Sequence, residues 1–455
     1  MPHSSIVHDL RSARSSGALL TGAPLPTLLY FALPIILGNI FQQLYSIVDA
    51  VVVGNFLGDL SLSGISVASP IVDVANALVI GGTIGVGVLC AHCFGAGESD
   101  RLRCMNATAL LGGAVLTLLI AVCGIAFSAP FLRAQGTEDA VCREAAMYLQ
   151  LVFAGLIFCF LYNYYAAMLR SCGNSRTPFF ILLIFSTLHA LLDVLFVGVF
   201  SWGIRGVAFS TVLCQALSAA ACILYAQRRC PPLLLRPADL RFDRRMGRTV
   251  LSYAWAAALQ QAVVCIGRLL VQGMLTPLGT STVTGYNMSL RTEQFLFCFS
   301  QGISAAMVVC LSQNLGHGDS PRARRFYRVS VLASLALIAV LGTVCFLFPA
   351  RIVGLFSDNA DVIAAGARYT GTMAYLYVFA YLGEIIQGFF RGLGRLRLTM
   401  IASLLQVVLR VVLSYLLIPV WGMYGICTAV AAGWVLLVCI EGAYSLKKAK
   451  DLTAS

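Results

Sequence analysis

The chain has 455 residues, of which 59% are hydrophobic and only 11% are charged, and its mean hydropathy is +0.86. A soluble domain carries about a quarter charged residues, so this composition excludes an ordinary soluble globular protein and indicates a membrane protein with many spans. The net charge of +12 would suit a nucleic-acid partner, but the positions of the basic residues argue against one.

Apolar segments long enough to cross a bilayer follow one another along the whole chain. A spanning helix needs about 20 mostly apolar residues. The segment 1–24 lacks the pattern of a cleaved signal, so the first span is expected to act as an uncleaved targeting element. Twelve spans are predicted, at residues 25–56, 61–93, 104–130, 144–169, 177–200, 205–227, 248–277, 281–313, 326–349, 366–390, 398–420 and 423–446.

The basic residues alternate from one connecting segment to the next. The two ends and every second loop hold 23 Lys and Arg residues, the other loops hold five, and three lie within spans. Cytoplasmic loops of membrane proteins are enriched in Lys and Arg, so both termini are predicted to be cytoplasmic. Topology thus accounts for most of the positive charge, and no nucleic-acid partner is expected.

The chain contains an internal duplication. When the first half is shifted onto the second by a constant offset, Gly58 meets Gly279, Gly81 meets Gly302, and "LRSCGNSR" meets "FRGLGRLR". Each half holds six spans. The predicted organisation is a cytoplasmic tail at 1–24, a six-helix lobe at 25–227, a cytoplasmic linker at 228–247, a second six-helix lobe at 248–446 and a cytoplasmic tail at 447–455. Transporters built from repeats bind substrate between the repeats and rock one against the other.

Polar residues inside the spans of the first lobe form the main candidate site. A carboxylate at the centre of a bilayer helix costs about 2.5–3.5 kcal/mol on insertion scales, so it normally faces a cavity or a partner. His189 and Asp193 share one helix face, and no Lys or Arg lies deep in this lobe to neutralise the acids. The predicted cation-coupling residues are Asp49, Asn163, His189, Asp193 and Thr211.

These residues leave two coupling ions open. Two carboxylates that share a small pocket can hold a proton between them, while the same oxygens could coordinate Na⁺. No other metal is predicted: Cys90, His92 and Cys93 end an apolar helix, and no second ligand pair follows them. No cofactor is expected beyond the coupling ion.

The second lobe mixes charges of both signs within its spans, at Arg268, Arg291 and Arg410 and at glutamates. Internal pairing is the simplest interpretation. Aromatic side chains could in addition form walls that attract organic cations. The residues predicted to line a substrate cavity are Glu293, Glu384, Tyr162 and Tyr381.

The chain resembles the multidrug and toxic compound extrusion (MATE) family over roughly residues 22–446. The resemblance is carried by "FALPIILGNIFQQLYSIVDAVVVGNFLG" in the first span, "GGTIGVGVLCAHCFGAGE" at the end of the second, "RSCGNSRTP" after the fourth and "RGLGRLRL" after the tenth. It implies an all-α polytopic membrane protein with twelve transmembrane helices in two pseudo-symmetric six-helix bundles. It also implies export of bulky, often cationic organic compounds in exchange for H⁺ or Na⁺.

The resemblance further implies that the coupling site of prokaryotic members is a cluster in the first lobe, with which Asp49, Asn163, Asp193 and Thr211 agree. His189 stands where an asparagine would be expected, and this departure favours protons, because histidine titrates near neutral pH. We therefore expect a monomeric, multi-pass protein of the bacterial inner membrane that acts on small organic molecules.

Two alternatives remain. A flippase for lipid-linked precursors or polysaccharide belongs to the same broad superfamily, although the extra helices and basic cavity typical of such proteins are not apparent. A membrane-embedded enzyme would need a catalytic constellation, and the sequence offers neither H-E-x-x-H nor a Walker loop. We therefore predict that the chain is not an enzyme.

Overall fold

The computed structural model describes residues 19–236 and 239–451. Most of the predicted amino-terminal tail and the last four residues of the carboxy-terminal tail lie outside the described residues. The described chain is helical, with connecting turns. Its main helices are α1 (Pro24–Phe56), α2 (Asp59–Gly95), α3 (Ser99–Ala134), α4 (Asp139–Ser171), α5 (Arg176–Asp193), α6 (Ile204–Arg229), α7 (Arg244–Gly273), α8 (Thr280–Gly316), α9 (Ser320–Leu347), α10 (Pro349–Val353), α11 (Ala360–Met373), α12 (Tyr377–Gly392), α13 (Leu396–Trp421) and α14 (Met423–Asp451).

The twelve predicted spans are confirmed. Among the described residues, eleven helices are long and apolar enough to cross a membrane, and α11 with α12 supplies a twelfth span that is bent by 58°. Most helices extend a few residues beyond the predicted apolar segments, because polar residues at a membrane surface can continue the helical hydrogen bonds. The last helix runs to Asp451 and so includes part of the segment predicted as a tail.

The chain divides into two compact units. Unit 1 comprises Leu37–Ala262, and unit 2 comprises the described residues up to Ile36 together with the chain from Val263 onwards. The divisions between the units fall inside α1 and α7, because Ile36 in the first part of α1 packs against Gly302 in unit 2 and Ala257 in the first part of α7 packs against Gly81 in unit 1. The predicted lobe boundaries stay predictions.

Unit 1 is organised around α4, which packs against α2, α3 and α6. Its core includes Tyr164, whose hydroxyl donates a 2.6 Å hydrogen bond to Asn106 Oδ1. Asn106 in turn donates to the carbonyl of Leu233 in the predicted linker. The linker is thereby attached to unit 1.

Unit 2 is organised around α8, which packs against α9, α11 and α12, while α14 packs against α11, α12 and α13. Its core is rich in aromatic residues: Tyr286, Tyr369, Tyr377 and Tyr381 are almost completely buried. Many large apolar side chains are exposed in both units, as expected of helices that contact lipid.

Glycines make a matching helix contact in the two units. A Cβ atom on Gly81 of α2 would lie 2.6 Å from the carbonyl oxygen of Ala257 on α7, within unit 1. One on Gly302 of α8 would collide with Ile36 on α1, within unit 2. Gly81 and Gly302 are repeat partners, and the same offset along the chain relates Ile36 to Ala257. The duplication seen in the sequence is thus reproduced in the packing of each unit.

Candidate functional site

The structure brings together four of the five predicted coupling residues. Asp49 lies on α1, His189 and Asp193 lie one turn apart on α5, and Thr211 lies on α6. One ligand atom from each of Asp49, His189 and Asp193 is within 4.8 Å of the other two. All of these residues belong to unit 1, and we call this group the acid cluster.

His189 connects the members of the acid cluster through both ring nitrogens. Its Nδ1 is 3.1 Å from Asp193 Oδ2, and its Nε2 is 3.0 Å from Thr211 Oγ1. The Thr211 hydroxyl also lies 2.8 Å from the carbonyl of Val207. The imidazole therefore links α5 to α6 and lies beside one carboxylate oxygen of Asp193.

The two carboxylates are short of hydrogen-bond donors. Asp193 is fully buried, and among the described residues neither Asp49 Oδ1 nor Asp193 Oδ2 receives a hydrogen bond. A buried charged oxygen without a donor is costly. The acid cluster can therefore lower its free energy by taking up a small cation, and carboxylate oxygens suit either a proton or a hard ion such as Na⁺.

Two members of the site were not identified from the sequence. The Tyr45 hydroxyl is hydrogen-bonded to His189 Nδ1, and the Ser210 hydroxyl donates to Asp193 Oδ1. Tyr45 lies four residues before Asp49, on the same face of α1, and this spacing could have identified it. Ser210 adjoins Thr211, but a serine beside a threonine in a helix carries no recognisable signal.

The helix that carries Asp193 changes its geometry at that residue. A π-helical turn, Val194–Val199, follows directly, and such turns are frequent at functional sites. Apolar side chains that lie one or two helical turns along the chain from residues of the acid cluster pack together. This apolar group consists of Val53, Leu57, Val197 and Val207.

Asn163 makes its described hydrogen bonds within α4. Its amide donates to the carbonyl of Cys159, one turn earlier on α4, at 2.9 Å. None of its described hydrogen bonds reaches the acid cluster. Its role in coupling stays a prediction.

The two acids predicted to line a substrate cavity have countercharges within unit 2. Glu384 Oε1 forms an ion pair with Arg391 Nη2 at 2.5 Å. Glu293 is buried, accepts a 3.3 Å hydrogen bond from Tyr369 and interacts with Arg410 and Arg268. The internal pairing considered from the sequence is seen as an ion pair for Glu384, whereas Glu293 interacts with its arginines without an ion pair among the described residues.

The two predicted cavity tyrosines have structural partners. Tyr381 is completely buried in the core of unit 2, and its hydroxyl donates to the carbonyl of Leu296 at 2.5 Å. Tyr162 lies in unit 1, with its hydroxyl 3.5 Å from the carbonyl of Pro178. Substrate binding by these residues stays a prediction.

Twelve spans, a repeated six-span half and a buried acid cluster define the chain as a polytopic helical membrane protein of the duplicated-transporter class. A family model described as MatE matches the chain twice, over residues 34–195 and 256–416. The second match follows the first at nearly the same offset as the repeat seen in the sequence. The chain belongs to this family, that of the MATE transporters.

Relatives with similar sequences are bacterial proteins. The probable multidrug resistance protein YpnP of Bacillus subtilis (strain 168) is 26% identical over 93% of this chain and 95% of its own length. The probable multidrug resistance protein YoeA of the same strain is 24% identical over 80% of each chain. The probable multidrug resistance protein NorM of Thermotoga maritima is 23% identical over 84% of this chain and 82% of its own length.

Solved structures share the fold at lower identity. A crystal structure of MATE in complex with MaL6 matches with a TM-score of 0.90 at 17% identity, over 96% of this chain and 99% of the other. A MOP superfamily transporter from Pyrococcus furiosus matches with a TM-score of 0.89 at 18% identity, over 96% and 98%. The predicted all-α, twelve-helix membrane fold is confirmed.

Proposed function

We propose that the protein is a secondary active antiporter that exports bulky organic compounds in exchange for protons taken up by the acid cluster. The observation that carries this proposal is the pair of carboxylates on α1 and α5, Asp49 partly buried and Asp193 fully buried, each with one buried oxygen that lacks a described hydrogen-bond donor. The names of the bacterial relatives, which are probable multidrug resistance proteins, support organic compounds as the exported class.

The surroundings of His189 favour a proton over Na⁺. When the Thr211 hydroxyl donates to the Val207 carbonyl, its lone pair accepts from His189 Nε2–H, so Nδ1 is unprotonated and accepts from the Tyr45 hydroxyl. Asp193 Oδ2 lies only 3.1 Å from that nitrogen. An ionised oxygen and an unprotonated nitrogen would repel each other there, so a proton on either atom is stabilising. An imidazole nitrogen is also a softer ligand than the oxygens that hard cations prefer.

The coupling we propose follows from this charge balance. Uptake of a proton removes one of the two negative charges of the acid cluster and favours a conformation of unit 1 in which the carboxylates are buried. Loss of the proton leaves charged carboxylates that favour a hydrated arrangement. A ligand can drive a conformational change only when it binds the two states with different affinity, and a buried charge provides that difference.

Efflux of ethidium by cells that lack their own drug exporters tests the role of the acids. Asp49→Asn and Asp193→Asn should each abolish energised efflux while the protein is still made and inserted, because an amide cannot bind and release the proton. Asp139→Asn is the matched control, since Asp139 is an exposed residue at the start of α4. We expect this control to export ethidium like the unmodified protein.

Normal efflux by either cluster variant would contradict the proposal. The alternative of a flippase for lipid-linked precursors predicts a different outcome, in which the unmodified protein leaves ethidium accumulation unchanged. We further propose that the protein is a monomer in the bacterial inner membrane with both termini in the cytoplasm, as the distribution of Lys and Arg predicts.

A further inference from the structure

Unit 2 contains a second buried carboxyl group, which the sequence analysis did not single out. Glu441 lies near the end of α14 and is completely buried. Neither of its carboxylate oxygens receives a hydrogen bond from any described residue. An ionised carboxylate in this environment would carry a large desolvation cost with no hydrogen bond to offset it.

A neighbouring arginine is already paired with another acid. Arg391, at the end of α12, forms its ion pair with Glu384, and its Nη2 also donates to Ser304 Oγ at 3.3 Å. Its Nε is buried and has no described hydrogen-bond partner. Arg391 and Glu384 both interact electrostatically with Glu441, but no ion pair within 4 Å joins Arg391 to Glu441 among the described residues.

The remaining surroundings of Glu441 supply no countercharge that the described contacts reveal. Tyr327 on α9 interacts with Glu441, and its hydroxyl is 3.3 Å from Ser445 Oγ. Arg410 on α13 interacts with Tyr286 and Glu293 instead. The other charged residues on α11 and α13, which pack against α14, are Asp361, Arg368 and Arg397. Arg395, just before α13, donates to the hydroxyl of Tyr444 on α14. The charged residues of α9 are Arg322, Arg324, Arg325 and Arg328.

The charges of Glu441, Arg391 and Glu384 determine how many protons these three side chains must hold to be neutral together. One guanidinium, which does not lose its proton in proteins, faces two carboxyl groups and can neutralise only one. We propose that Glu441, Arg391 and Glu384 form a second proton-binding site, in which Glu441 holds a proton while Arg391 is paired with Glu384. This site lies in unit 2, is separate from the acid cluster and does not depend on the function proposed above.

Release of the proton requires Arg391 to change partner. When the guanidinium turns from Glu384 to Glu441, the Glu441 carboxyl gives its proton to water and remains as a carboxylate paired with Arg391. The Glu384 side chain is 26% exposed, so it can remain ionised in contact with water or take up a proton from it. The net charge of Glu441, Arg391 and Glu384 is zero while the three side chains hold one proton and minus one after that proton has been released.

Infrared difference spectroscopy of the purified full-length protein tests this proposal through the carbonyl stretch of protonated carboxyl groups. At neutral pH, the unmodified protein should show a signal of one buried carboxyl group that is lost in Glu441→Gln. Glu384→Gln should also lose this signal although Glu441 remains, because Arg391 is then free to pair with Glu441. Arg391→Gln should keep the signal to higher pH, since Glu441 then has no cationic partner.

Glu144→Gln is the matched control, because Glu144 lies in unit 1, where it accepts a 3.0 Å hydrogen bond from Ser61. This substitution should leave the Glu441 signal unchanged. Measurements in the Asp49→Asn/Asp193→Asn background remove any contribution from the acid cluster, and size-exclusion chromatography verifies that each variant is folded. Identical spectra of the unmodified protein and Glu441→Gln would overturn the proposal. So would a Glu384→Gln spectrum that keeps the signal, because Arg391 would then not exchange partners.

Discussion

His189 lies at the centre of the acid cluster, and its two ring nitrogens reach different helices. One nitrogen faces Asp193, and the other meets Thr211. An asparagine at this position could reach only part of this network, because its amide is shorter and its two polar atoms are closer together. The histidine thus makes the environment of the acids dependent on proton binding.

Replacement of His189 tests this role. Loss of a hydrogen bond between neutral groups, such as that of His189 with Thr211, costs roughly 0.5–1.5 kcal/mol, so we expect His189→Asn to reduce proton-driven ethidium efflux by about two- to tenfold. Transport in vesicles with a pH gradient measures the effect. His92→Gln, near the end of α2 and outside the acid cluster, should leave the rate unchanged, and an unchanged rate in His189→Asn would contradict the role given to the imidazole.

The sequence predicts much of the site, and the reasons for its omissions are physical. His189 and Asp193 were grouped because a helix places residues four apart on one face. Tyr45 and Ser210 were missed because a hydroxyl on an apolar helix cannot be recognised as part of a site until the structure shows a carboxylate or imidazole beside it. Glu441 was missed because it looks like an ordinary charged residue near the end of the last span.

At the scale of the helices, glycines allow close packing within each unit. Gly81 of α2 lies against the backbone of α7, so a methyl group there would meet Ala257 and Ala258 at 2.6 Å. Gly82, the next residue along the helix, has no atom within 4 Å of the position of a Cβ. Substitution of these two neighbouring glycines by alanine therefore compares the effect of a steric contact with α7, at Gly81, with the effect of helix propensity alone, at Gly82.

We expect Gly81→Ala to destabilise the protein, because overpacking typically costs about 1–3 kcal/mol. Gly82→Ala should be neutral or stabilising by roughly 0.5–1 kcal/mol, since alanine favours the helix. Thermal unfolding of the detergent-solubilised protein measures both variants. Equal melting temperatures for Gly81→Ala and Gly82→Ala would show that the contact with α7 does not contribute to stability.

Helix positions were predicted well, whereas changes in helix geometry were not. Hydropathy identifies which residues can face lipid, and this is why all twelve spans were found. The 58° bend between α11 and α12 and the π-helical turn after Asp193 depend on local hydrogen bonding and packing, which composition does not record. The two parts of α1 belong to different units, and so do the two parts of α7. This division depends on which helices each part contacts, and composition does not record those contacts either.

For the whole molecule, the alternation of basic segments predicts an orientation in the membrane. Green fluorescent protein fused after Ser455 should be fluorescent, and alkaline phosphatase at the same position should be inactive, because the carboxy terminus is predicted to be cytoplasmic. A phosphatase inserted at Gly136, in a predicted outside loop, should be active. The opposite pattern at these two positions would invert the predicted topology.

The duplication gives the two units related folds but different polar interiors. At equivalent positions of the repeat, His189 and Asp193 of unit 1 correspond to Arg410 and Ser414 of unit 2. The fixed positive charge of an arginine cannot serve a site that must bind and release a proton at that position. The acid cluster of unit 1 is therefore the site to which we assign coupling.

Transport by the purified protein in lipid vesicles, with a pH gradient alone or a Na⁺ gradient alone, tests this assignment most directly. We predict that a pH gradient drives ethidium across the membrane in the unmodified protein and not in Asp193→Asn, and that a Na⁺ gradient alone drives none. Ethidium transport driven by Na⁺ without a pH gradient, or proton-driven transport that persists in Asp193→Asn, would contradict it.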